Sequence, residues 1–74
     1  MRGIVTRVEL QRKFAFIRDE EGKNRFTHRR YLMVPDQFES LVVGTHVEFD
    51  PIGDNDKNYR ATNVEILPEQ RISA

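Results

Sequence analysis

Seventy-four residues with no cysteine make one small domain that neither disulfides nor thiolate metal sites can reinforce. The formal charge is zero, but residues 1–30 hold nine Lys/Arg against four acids and residues 31–74 hold three against eight. Such a split can give one face a positive field, or be no more than an uneven solvated surface. No apolar run approaches the roughly 20 residues of a bilayer span, and Arg2 and Arg7 fall where an export signal would be apolar. A soluble, cytoplasmic chain is expected. Val, Ile and Leu dominate the apolar content and alanine occurs only at Ala15, Ala61 and Ala74, which favours strands over helices.

Residues 3–10 alternate Ile4, Thr6, Val8 and Leu10 against Val5, Arg7 and Glu9, the period of a first strand. A basic turn, Gln11-Arg12-Lys13, leads into a second strand at 14–19. Turn residues follow, with Gly22 able to take positive φ, and then a third strand at 24–29. Residues 31–45 lose the alternation. There Val34-Pro35-Asp36-Gln37 suggests a turn, Leu41-Val42-Val43 a short buried contact, and Gly44-Thr45 a tight turn into the next strand. The fourth strand covers 46–52 with Val47 and Phe49 on one face; Pro51 lacks an N–H and belongs at an edge or bulge. Residues 53–58 read as a polar hairpin loop and 59–67 as a fifth strand carrying Val64 and Ile66. The domain is placed at 1–67, and residues 68–74, without a packing pattern, are expected to form a flexible tail.

A three-stranded meander, a longer crossover and a closing hairpin fit an all-β fold, a small five-stranded antiparallel Greek-key barrel whose closure removes exposed edges. An open SH3-like barrel fits the same pattern. The interior would take Val5, Ile17, Val47 and Val64, with Leu32 and Leu41 sealing the crossover.

Two segments carry the functional signal. Lys13-Phe14-Ala15-Phe16-Ile17 and Arg25-Phe26-Thr27-His28-Arg29 each set two rings at i and i+2 beside basic residues. Alternate side chains of a strand leave the same face. A hairpin would therefore gather Phe14, Phe16, Phe26 and His28 into one platform fringed by Lys and Arg. Flat rings beside cations stack unpaired bases and hold phosphates. By pattern alone the phenylalanines are equally ordinary core residues, although Ala15 and Ile17 on the opposite face would suffice for a narrow barrel. Tyr31 reads as a packing residue under the crossover.

The chain resembles the cold-shock domain, a five-stranded OB-type barrel that binds single-stranded RNA and DNA. The likeness runs from Arg2 to Val64, with no gap over the first thirty residues. Gly3 and Val5 open the first strand as in that family. Lys13-Phe14-Ala15-Phe16-Ile17 falls on its Lys-Gly-Phe-Gly-Phe-Ile motif and Phe26-Thr27-His28 on its Phe-Val-His motif. Phe38, Leu41, Gly44, Val47, Phe49, Ala61, Asn63 and Val64 then match in type and order. The resemblance implies an OB-fold with outward rings. It also implies a nucleic-acid-binding set of Phe14, Phe16, Phe26, His28 and the crossover ring Phe38, for which a satellite core contact is the alternative; the cations Arg7, Lys13, Arg29 and Arg60 complete the expected set, and Tyr59 lies near a family position that touches bases.

The departures lie in that set. The family's first-strand tryptophan is Arg7 here, the phenylalanine after it is Val8, and the phenylalanine after the motif histidine is Arg29. Lys13 and Ala15 replace the motif glycines, while Arg25 and Thr27 replace two interior valines of the third strand. Each lost base stack is worth about 1–3 kcal/mol. A guanidinium recovers part of it by stacking and by pairing with phosphate. Binding is therefore expected to be weaker in high salt, and more salt-sensitive, than that of an aromatic-rich relative.

The expected function is cofactor-free binding of single-stranded RNA or DNA, as an RNA chaperone or a regulator of transcription or translation. The alternative is a degenerate cold-shock fold turned protein-interaction module, its basic half docking on an acidic protein partner. Nothing places a histidine and a carboxylate around Ser40 or Ser73, two histidines lack a third ligand, and the carboxylates sit in turn-like segments. No catalytic or metal site, small-molecule substrate or membrane partner is expected. Asp54, Asp56, Asn58 and Glu65 match calcium-loop spacing, but Tyr59 stands where the loop needs glycine and flanking helices are missing, so a polar hairpin tip is the better reading.

Overall fold

Alternating β-branched, aromatic and polar residues build five strands in the computed structural model, which describes residues 1–53 and 59–67. These are β1 (Arg2–Glu9), β2 (Phe14–Asp19), β3 (Asn24–His28), β4 (His46–Ile52) and β5 (Arg60–Ile66). They close into a barrel in the order β1-β2-β3-β5-β4. Closure of β1 on β4 removes the open-barrel alternative. The proposed tail at 68–74 and the first three calcium-pattern residues, Asp54, Asp56 and Asn58, lie outside the described residues.

Five is an odd number, so antiparallel alternation cannot run unbroken round the ring. Four seams are antiparallel, and the fifth, β3 with β5, is parallel through a bridge of Phe26 with Arg60. The expected five-stranded antiparallel barrel is thus closed by one short parallel seam. Pro51 pairs with Ala61 of β5, and its other side lies beyond the last β1 partner of β4, Glu48. Its missing N–H therefore disrupts no ladder.

The interior holds Val5, Ala15, Ile17, Val47, Phe49, Ala61 and Val64, with Leu32, Phe38 and Leu41 closing the end under the crossover. Gly3 is fixed by this packing. A Cβ there would lie 2.5 Å from Ile17 Cγ2 and 2.7 Å from the Arg18 carbonyl oxygen, closer than real Cβ atoms come.

The crossover is helical where a turn was expected: one 3₁₀ turn, Arg29–Tyr31, and one 3₁₀ helix, Pro35–Ser40. With three residues per turn, Phe38 stands in line with Leu41 just past the helix, and both are buried. Val42 and Val43 are 62% and 67% exposed. Of the expected buried trio only Leu41 is inside.

Inside β3 the usual polarity is reversed. Arg25 and Thr27 point inward at 2% and 0% exposure, while Phe26 and His28 point out. Thr27 Oγ1 donates to the Ala61 carbonyl at 3.0 Å. Arg25 neither bends out nor breaks the strand: its Nε donates to Asp19 Oδ2 at 2.7 Å and its Nη1 to the Arg60 carbonyl at 3.1 Å. The guanidinium carbon also lies 5.2 Å from the Tyr59 ring centre and 5.9 Å from that of Phe49. Asp19 Oδ1 accepts the N–H groups of Glu21 and Lys23 at 2.8 and 2.9 Å, tying the β2–β3 turn. Burial pushes the Asp19 carboxyl up, but those N–H groups and the Arg25 guanidinium outweigh it and hold it below the usual carboxylate value.

Candidate nucleic-acid interface

A bulge sets the chemistry of the outer face. Along β1, Val5 pairs with Ile17 and Arg7 with Phe16, leaving Thr6 as the extra residue. A regular strand would put Arg7 on the buried face of Val5. The bulge resets the phase, so Val8 turns inward opposite Ala15, and Arg7 and Glu9 turn outward.

The register then lays the outward residues in cross-strand rows. One row reads Arg7, Phe16, Phe26, Arg60 and crosses β1, β2, β3 and β5. The next reads Glu9, Phe14, His28. Phe14, Phe16 and Phe26 are each half-buried, with ring centres 5.5–5.9 Å apart at tilted and edge-on angles. This is a continuous aromatic patch, not three separate side chains. The Arg60 guanidinium stands 5.9 Å from the Phe26 ring centre. Its backbone is the carbonyl that Arg25 holds from inside, so the buried network fixes one edge of the platform.

Cations flank the rings on both sides. Arg7 Nε donates to Glu9 Oε2 at 2.9 Å, and Arg29 Nη2 to Asp36 Oδ1 at 3.0 Å. Both pairs are exposed enough to be worth at most about 1 kcal/mol. A phosphate can therefore take the place of either carboxylate. Lys13 is exposed at the β1–β2 turn with a left-handed φ of 63°. Glycine, the family's residue at the matching position, takes that conformation without strain. The Lys13 carbonyl accepts the Arg29 N–H at 2.9 Å, and both residues border a depression that also touches Leu10 and Glu39. His28 Nδ1 accepts the Arg30 N–H at 3.2 Å. With Nδ1 engaged there, Nε2 is the ring nitrogen left for a ligand, in the row of Phe14.

Eight of the nine residues expected at the site thus lie on or beside one outer surface. The ninth, Phe38, lies beneath that surface, as the core reading of it expects. At 1% exposed its ring belongs to the core, because its 3₁₀ helix is otherwise polar and offers that ring only the inner side. It also lines the depression that Lys13 and Arg29 border, so it supports that recess from beneath. Tyr59 is held between Lys23 and Arg25, with Lys23 Nζ 5.0 Å from its ring centre. Tyr31 is half-buried, under the Arg30 guanidinium at 5.9 Å.

Sequence reasoning missed Thr6 and Asn24, which with Arg7 line a shallow recess beside Phe16. A bulge depends on long-range register, so no local pattern marks Thr6. No group of three or more His, Asp or Glu among the described residues could hold a metal ion, and none of their helices is long and apolar enough to cross a membrane.

A closed five-stranded barrel of this strand order is the architecture of an OB-fold. A family model described as the 'Cold-shock' DNA-binding domain matches residues 1–67, and the chain belongs to the cold-shock domain family. Domains of this family bind single-stranded nucleic acid and are not enzymes. A search of curated proteins found no match.

Proposed function

We propose that this protein binds single-stranded RNA or DNA by stacking bases on Phe14, Phe16 and Phe26. His28 contributes its Nε2 edge, and Arg7, Lys13, Arg29 and Arg60 hold the phosphates. It acts as an RNA chaperone or regulator by keeping strands unpaired, since binding the open form draws the pairing equilibrium towards it. The observation that carries this reading is the packed triplet of half-exposed phenylalanines on a face where folding alone would place polar side chains. With arginine where the family has two further rings, phosphate contacts take a larger share of the affinity than stacking does. Each contact contributes a salt slope of about −0.7 on a single strand. Anisotropy titration of a labelled oligothymidine at several salt concentrations tests this. The expected result is binding at low salt with a slope corresponding to several contacts. Absence of binding at low salt would favour a protein-interaction role for the basic face.

A further inference from the structure

We infer that the nucleic-acid track extends past the rings, over the row Asn24, Arg18, Ile4, His46, so that nucleotides flanking the stacked ones rest on β1 and β4. The inference rests on the proposed single-strand reading and adds to it a second subsite, for the flanking phosphate and the sugar or base attached to it. Register supplies the row: Arg18 pairs with Asn24 on one side and with Ile4 on the other, and Ile4 pairs with His46.

Continuity with the platform is the first support. Arg18 follows Phe16 by two residues on the same outward face of β2, a separation of roughly 7 Å. One nucleotide of an extended strand covers a comparable distance. The second support is the shape and chemistry of the place. Arg2, Ile4, Arg18, Glu20 and His46 line one depression, with Asp19 beneath it already held by Arg25, and Ile4 is 42% exposed there. An exposed apolar side chain next to Arg18 suits a sugar or base face with its phosphate on the arginine. The third support is charge. Glu20 accepts the Arg2 backbone N–H at 3.3 Å, and Glu48 stands opposite Arg2 across the β1–β4 seam, so the charge of Arg2 is offset. Arg18 is exposed and forms no salt bridge among the described residues, so it sets the sign of the row.

Oligonucleotide length separates this subsite from the platform. Oligothymidines of about four and about eight nucleotides, within the range of OB-fold sites, are titrated against the intact chain and against Arg18→Gln and Phe16→Ala. The expected result is that Arg18→Gln weakens the longer oligomer by roughly threefold to tenfold and lowers its salt slope by about 0.7. The shorter oligomer should be unaffected, while Phe16→Ala weakens both. Amide shifts at Ile4 and His46 should appear only with the longer oligomer. An Arg18→Gln effect that is equal at both lengths, or missing at both, overturns the extended track while leaving the platform standing. Failure of the unaltered chain to bind either length overturns the platform and the extension together.

Discussion

Strands β3 and β4 share one barrel wall yet face opposite ways in chemistry. In β4, Val47 and Phe49 point inward and His46, Glu48 and Asp50 outward, the arrangement that burial of apolar area requires. In β3, a cation and a hydroxyl point inward and two rings outward. Folding explains β4 completely. It does not explain β3, where rings forgo burial and an arginine has to be neutralised inside. On the proposed binding role, the outward rings of β3 are the ligand surface, kept at some cost in burial. That role also explains why the outer faces differ: rings and cations over β1–β3, Glu48 paired across from Glu65 over β4–β5.

Removing Arg25 gives the largest expected effect. Arg25→Ala leaves the Asp19 carboxylate buried without its partner, and breaking a buried pair in this way costs about 3–5 kcal/mol. Urea denaturation of so small a domain should then find little folded protein. The two phenylalanines compare the strands directly. Phe49→Ala should cost about 3–5 kcal/mol of stability. Phe26→Ala should cost much less stability, but weaken oligonucleotide binding by about 1–3 kcal/mol, or roughly 5- to 150-fold. Equal stability losses for both would erase the distinction between the strands.

Acid probes the buried pair more gently. The Asp19 pKa is lowered from its ordinary 3.8 in the folded state. Its contribution is therefore fully present above the unfolded value and is lost as pH falls through the lower folded value. Thermal unfolding should vary little with Asp19 ionisation near neutrality and decline below about pH 4. Asp19→Asn should be less stable at neutral pH and should flatten that decline.

The smallest effect has two signs. Lys13→Gly relieves a left-handed residue and should change stability by no more than about 1 kcal/mol in the favourable direction. The same change removes one cation and should reduce the salt slope of binding by about 0.7. Calorimetry and salt titration of the one variant check both.

Much of this was legible in the sequence because strands and their alternation are local. All five strands, the interior residues Val5, Ile17, Val47 and Val64, and the caps Leu32 and Leu41 fall where the pattern puts them. The pairing of Arg25 with Asp19 left a readable trace. Counting by twos from buried Ile17 turns Asp19 inward, and Arg25 is the Cα partner of Ile17 across the hairpin. Two opposite charges on one inward face imply a pair. Other features depend on distant contacts. The Thr6 bulge requires the register of β2, the parallel seam requires the closed ring, and Phe38 takes its place from a 3₁₀ helix that turn residues alone did not announce.

The most direct test follows the ring-proton resonances of Phe14, Phe16 and Phe26 as an oligothymidine is added at low salt. Stacked bases should shift all three sets, while the resonances of buried Phe38 and Phe49 change little. Saturable binding that leaves the three outward rings unmoved would contradict the claim that they form the base-stacking surface.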